Sequence, residues 1–216
     1  MRWINHFFNS KIPFYIYKLY KGDSVVHTAD INISKLLIVL HGTVYILKAF
    51  TNSETITLAL LESDHIIHTH TPQKNCYYKI IAITDTFLLS CKWEDLTKIN
   101  TQINSTFFGE LIQSYIKTIE KYETMNSILA HKYIKNRVIQ LILSLSKDFG
   151  IVDKRQIFIP HYISQTTISI ITGSNRTNIN KILHNFHHEN LIKYLYNKKI
   201  CIENPFFFIH SNHIKN

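Results

Sequence analysis

"ISQTTISIITGSNRTNINKIL", residues 163–183, holds one of only five glycines in the chain, set between two stretches with helical apolar spacing. Ser164 can cap a short helix that carries Ile168 and Ile171 on its apolar side. Gly173 breaks that helix, and Asn175 can cap a second one. There Ile179, Ile182, Leu183 and Phe186 lie at i, i+3, i+4 and i+7, a single apolar face. Two short helices joined by a glycine turn predict a helix-turn-helix. The outward side of the second helix then opens with Arg176, Thr177, Asn178 and Asn180, followed by Lys181. These side chains suit nucleic acid, since arginine pairs bidentately with guanine and asparagine with adenine. Ser164, Gln165, Ser174 and Asn175 complete the candidate DNA-binding set around the turn.

The flanks agree with a DNA-binding role. "LIKYLYNKKICIE", residues 191–203, reads as a strand, a lysine-bearing turn and a second strand. That is the wing of a winged helix, with Lys198 and Lys199 placed to touch phosphates. Upstream, Ile134, Val138, Leu141, Ile142 and Leu145 predict a helix over residues 132–149 that Gly150 can end.

Before that helix the period lengthens. Phe108, Ile112, Tyr115, Ile119, Tyr122, Asn126 and Leu129 alternate spacings of four and three, a heptad seam with Asn126 at an a position. The seam predicts a long dimerisation helix over 106–131. Leu111, Ile116, Met125 and Ile128 widen the apolar stripe, so a second face can pack on the preceding domain. Residues 1–105 read instead as strands. "KLLIVL", "TVYILKAF", "ETITLALL", "YYKIIAI" and "TFLLSCK" recur at roughly ten-residue spacing, the pattern of an antiparallel barrel or sandwich. In "LIVLHGTVYIL" the turn at Gly42 reads as a hairpin. The fold class is therefore α+β, with a strand domain (1–105), a dimerisation helix (106–131) and a winged helix-turn-helix domain (132–216).

Bulk composition narrows the function classes. A net charge of +9 favours a polyanionic partner. Much of the lysine excess also fits an AT-rich genome such as a plastid's, since Lys, Asn, Ile, Phe and Tyr all have AT-rich codons. No apolar run approaches the ~18 residues of a membrane span, and the N-terminus has no signal-peptide core. The expected location is a plastid stroma or a bacterial-type cytoplasm. Three scattered cysteines, Cys76, Cys91 and Cys201, suit free thiols in a reducing compartment. No enzymatic motif stands out; "DFG" at 148–150 has no glycine-rich loop to accompany it.

With these pieces in place the chain resembles the CRP/FNR family of transcription regulators, in particular its cyanobacterial and plastid nitrogen-regulator branch. The residues that carry the likeness are "ISQTTISIITGSNRTNINKIL", "LAHKYIKNRVIQLILSLSKDFG" (129–150), "LLIVLHGTVYIL" (36–47) and "ETITLALL" (54–61). The resemblance implies a cyclic-nucleotide-binding-like β-barrel (jelly roll) ahead of the dimer helix. It implies a homodimer on a palindromic promoter site, an activator of nitrogen-controlled genes with double-stranded DNA and RNA polymerase as partners. The family often has arginine where Lys181 stands, and lysine keeps the charge without the bidentate fork.

The nitrogen-regulator branch also implies an effector, 2-oxoglutarate, held between barrel and helix. The corresponding positions here are Ile66, Ile67, His68, Thr69, Cys76, Thr118 and Glu123. Cys76 and Thr118 stand where arginines are expected, so the fixed cations that a dicarboxylate needs are missing. No cofactor and no metal are expected. The alternative is a cupin-like metal-binding barrel, protein or enzyme, using His65, His68 and His70 with Cys76, of which His68 and His70 would share a strand face.

Overall fold

The computed structural model describes residues 2–28, 34–69, 75–97, 105–195 and 199–210. It comprises two compact units, 1–125 and 126–216.

The first unit is built on two four-stranded antiparallel sheets. One has the order β1 (Tyr15–Leu19), β8 (Thr86–Lys92), β3 (Lys35–His41), β6 (Ile66–Thr69). The other runs β2 (Ser24–His27), β7 (Cys76–Ala82), β4 (Val44–Phe50), β5 (Thr55–Leu61). Between them lies one apolar cluster, in which Leu37, Val39, Ile67 and Leu88 of the first sheet meet Ile46, Ala59, Leu61 and Ile80 of the second. The opposite face of the first sheet is covered too. Leu36, Ile38, Ile66 and Leu89 pack there with Trp3, Phe7, Phe107 and Leu111. Being buried on both faces is why β3 and β8 read as nearly continuous apolar runs and not as alternating ones.

Two expectations from the sequence need correction. The strands on either side of Gly42 do not form a hairpin. β3 and β4 belong to different sheets, β3 pairing with β6 and β8 while β4 pairs with β5 and β7. Gly42 turns the corner at φ 92°, and a Cβ there would collide with Thr86 and the Asp85 carbonyl. The opening residues are not strand either. Arg2–Asn9 form α1, which buries Trp3 and Phe7. The Trp3 indole N–H donates to Asp64 at 2.8 Å, and Arg2 bridges Asp64 and Glu110 at 3.0 and 3.1 Å. A short α2 (Trp93–Thr97) follows β8.

Helix α3 (Ser105–Ala130) is 26 residues long. Its sequence supplies two apolar faces. Phe107, Leu111, Ser114, Thr118 and Met125 are buried, whereas Phe108, Ile112, Ile116 and Ile119 are 44%, 58%, 51% and 56% exposed. The expected seam therefore mixes the two. Tyr115 and Tyr122 pack against the cores of the first unit, and Ile116, outside the heptad, belongs to the exposed stripe. Asn126 is exposed and in line with Phe108, eighteen residues on, about five helical turns.

The second unit holds α4 (Ile134–Phe149), α5 (Gln165–Thr172), α6 (Arg176–His188) and a four-stranded sheet. The sheet order is β11 (Ile192–Tyr194), β12 (Ile200–Ile202), β10 (Gln156–Phe158), β9 (Ile151–Asp153). The β9–β10 hairpin was not legible in the sequence, being two strands of only three residues each. α7 (Pro205–His210) closes the unit and sets Phe208 edge-on to Phe186, ring centres 5.6 Å apart. The architecture is α+β, with a jelly-roll unit of two four-stranded sheets followed by a winged helix-turn-helix.

Candidate nucleic-acid interface

The turn between α5 and α6 is defined by three local devices. The Ser164 hydroxyl accepts from the Thr167 N–H at 3.0 Å and starts α5. Gly173 ends it at φ 63°, left-handed backbone that glycine adopts without strain. The Asn175 side chain accepts from the Asn178 N–H at 2.8 Å and starts α6. Each cap satisfies an orphan donor and is worth ~1 kcal/mol. Ile168 and Ile171 of α5 and Ile179, Leu183 and Phe186 of α6 are buried, while Ile182 lies at the edge of that face.

Burial of that face fixes what points out. Arg176, Thr177, Asn180 and Lys181 are exposed, with Asn178 and Ser174 partly so. Gln165, at the start of α5, reaches across to α6, where its Nε2 donates to the Asn180 Oδ1 at 3.1 Å. Arg176 and Gln165 border one cavity of about 410 Å³ that Tyr162 and Tyr194 also line. These two tyrosines carry no signal in the sequence, because one precedes α5 and the other lies on the wing strand β11. Burial raises the Tyr194 phenol pKa, and Tyr162 beside it adds to the shift. Antiparallel β11 and β12 form the wing; Lys199 is half-buried just before β12, on the turn side of the hairpin, and Lys198 lies outside the described residues.

The sequence reading also missed Arg137, since a lone arginine on a helix gives no hint of its target. Its Nε donates to the His131 carbonyl at 2.8 Å and its Nη1 to the Thr172 carbonyl at 3.1 Å. It thus clamps the end of α5 to the segment preceding α4. His184, His187 and His188 are exposed on the second half of α6, with the His184 and His188 rings 4.4 Å apart and His187 stacked on Tyr194.

The candidate effector residues are only partly gathered. Ile67 and His68 border a cavity of about 270 Å³ that Ile46, Tyr78, Ile80 and Tyr122 also line, with no arginine or lysine among its described walls. Burial, helped by Tyr78, pushes the Tyr122 phenol up to about 12. Ile66 faces the helix side of its sheet instead. The buried Thr118 hydroxyl accepts from the Ile66 N–H at 2.9 Å and donates to the Ser114 carbonyl at 2.8 Å, clipping α3 to β6. Cys76 is buried and Glu123 exposed, and neither lines the cavity; Thr69 ends β6.

The alternative, a metal site on the barrel histidines, has no support in the geometry of the described residues. The His65 Nδ1 lies 3.0 Å from the Glu62 carbonyl, and the His68 ring packs at a tilt of 33° against Trp93 with Nε2 2.8 Å from Ser34 Oγ. His70 lies outside the described residues. Among the described residues no three His, Cys, Asp or Glu converge as ligands.

Comparison with known proteins completes the site. No family model matches the chain. The HTH-type transcriptional regulator ycf28 of Porphyra purpurea is 30% identical over 204 residues, covering 94% of this chain and 84% of the relative. The global nitrogen regulator of Synechococcus elongatus is 25% identical over 201 residues, 91% of this chain and 89% of its own. Among solved structures, a mutant CooA from Carboxydothermus hydrogenoformans superposes with a TM-score of 0.73 at 17% identity, covering 92% of this chain and 87% of that one. FixK2 from Bradyrhizobium japonicum gives 0.68 at 15%, with 92% and 97% covered. No helix among the described residues is long and apolar enough to cross a membrane. A capped helix-turn-helix with a basic, amide-rich outer face, a jelly-roll unit and these relatives agree on one assignment: the chain is a DNA-binding transcription regulator and belongs to the CRP/FNR family.

Proposed function

We propose that the protein acts as a homodimer on a palindromic promoter site and activates nitrogen-controlled genes together with RNA polymerase. The place of action is a plastid stroma or a bacterial-type cytoplasm, in line with a ycf28 relative and the AT-rich codon bias. The observation that carries the reading is the outward face of α6, where Arg176, Thr177, Asn180 and Lys181 are exposed directly behind two side-chain caps. Pairing of two copies is supported by Phe108, Ile112, Ile116 and Ile119, four large apolar side chains left exposed in one stripe of α3. The nitrogen role rests on the relatives named as global nitrogen regulators.

In this reading 2-oxoglutarate is not the signal. Apart from His68 the described cavity walls are apolar and phenolic, and Thr118 already spends its hydroxyl on a helix-to-strand clip. Selection of bound sequences from a random duplex pool, followed by footprinting of the selected site, tests the function. Two protected half-sites about 10 base pairs apart, centre to centre, are expected. An asymmetric site bound by one copy overturns the dimer reading.

A further inference from the structure

The amide pair Gln165–Asn180 joins two helices that also pack through a buried apolar face, and it sits on the side of α6 left open to solvent. The two residues are 15 positions apart, and the bond spans 3.1 Å from Gln165 Nε2 to Asn180 Oδ1. An asparagine amide has two N–H donors and two lone pairs on its oxygen. Gln165 occupies one lone pair. Asn180 is exposed, which leaves its other lone pair and its Nδ2 hydrogens accessible. If both amides turn over, Asn180 donates one N–H to Gln165 and still keeps a donor and an acceptor free. The major-groove edge of adenine offers the complement, an N6 donor beside the N7 acceptor, whereas guanine offers two acceptors.

We propose that Asn180 reads one adenine in the major groove and that Gln165 is its positioning residue, holding the amide in the bidentate orientation before DNA arrives. This rests on the reading of α6 as the base-contacting helix. It assigns the two residues unlike tasks: Gln165 contributes selectivity through Asn180 and adds little to affinity for DNA in general. An unbraced asparagine on an exposed helix turn has to be oriented on binding, which weakens the preference for the right base; the brace removes that cost.

The test uses the full chain and a site selected from a random-sequence duplex pool. Binding is measured on that site, on variants with each A·T pair replaced by G·C, and on random DNA, over a range of salt. The wild type should lose about tenfold or more when one particular A·T pair is replaced. Asn180→Ala should abolish that penalty. Gln165→Met, close in shape but unable to hydrogen-bond, should remove most of it. On random DNA its loss should be smaller than on the selected site, with an unchanged salt slope. The double variant should discriminate no worse than Asn180→Ala alone, because the two act as one unit. Gln165→Ala repeats the measurement should Gln165→Met alter the melting temperature. Equal weakening on all sequences with a shallower salt slope would make Gln165 a phosphate ligand and overturn the pairing. Additive losses in the double variant, or no A·T pair dependent on Asn180, overturn it as well. A wild type that enriches no sequence overturns the base-contacting role of α6 itself, and the pair with it.

Discussion

At the scale of single residues, side chains with similar chemistry do quite different work. Arg176 is exposed at the first position of α6, where a guanidinium can address a base edge. We expect Arg176→Ala to cost ~1–3 kcal/mol per half-site and to relax specificity at one base position. Binding assays on specific and random DNA check it; an equal loss on both would assign the arginine to phosphate. Arg137 instead donates to two carbonyls of its own chain. Arg137→Ala should destabilise the second unit by roughly 1.5–3 kcal/mol, read as a lower denaturation midpoint, while Arg176→Ala leaves that midpoint unchanged. His65 gives a pH signature. Its pKa is lowered, mainly by burial and further by the Lys121 charge, although the Glu62 carbonyl opposes the shift. The unfolded chain, with a pKa near ~6.5, then binds the proton more readily than the folded one. His65 therefore contributes stability above that pH that is lost as the pH falls below it. Melting temperatures at pH 7.5 and 5.5 should diverge in the wild type, and less so in His65→Phe.

Elements add what no residue shows alone. α5 and α6 each begin with a side-chain cap, so Ser164→Ala and Asn175→Ala should each cost ~1 kcal/mol in thermal unfolding. The Asn175 variant should also weaken DNA binding, because its helix carries the face proposed to contact bases. α3 is amphipathic twice over. Its buried face includes Phe107, Leu111 and Thr118, and its exposed stripe Phe108, Ile112, Ile116 and Ile119. Ile116→Lys adds a charge to the stripe without touching the buried face. We expect sedimentation to show a dimer for the wild type and a monomer for the variant, with the melting of the first unit unchanged. A wild type that sediments as a monomer at every concentration would mean that another partner covers the stripe.

For the molecule as a whole, the question is what signal reaches the DNA-binding unit. A ligand shifts an equilibrium only through differential affinity for its two states. A dicarboxylate in a cavity bordered by His68, Tyr78, Tyr122 and aliphatic side chains would face a desolvation penalty of several kcal/mol without an arginine to offset it. DNA affinity should therefore change less than threefold on adding millimolar 2-oxoglutarate, measured on a labelled promoter fragment. A tenfold tightening would show that cations outside those walls reach the ligand.

Which parts could be read from sequence follows from how far apart the interacting atoms lie along the chain. The helix-turn-helix was legible because its determinants are local: Ser164 bonds to Thr167, Asn175 to Asn178, and Gly173 needs only its own φ. The apolar period of α6 then dictates which side chains face out. Strand content in the first unit was legible for the same reason, through short β-rich runs and turns. Pairing was not. Whether β3 takes β4 or β8 depends on contacts some fifty residues away, and the local turn at Gly42 suited a hairpin equally well. The N-terminal helix escaped notice because Trp3 and Phe7 gain their burial from residues around 64 and 107. The seven seam positions of α3 have one spacing, but Tyr115 and Tyr122 turn towards the sandwich while Phe108 and Ile119 stay exposed. The Gln165–Asn180 bond likewise exists only because α5 and α6 cross where they do. Local backbone chemistry sets caps, turns and periods; long-range packing alone decides partners, because only the folded chain brings those groups within bonding distance.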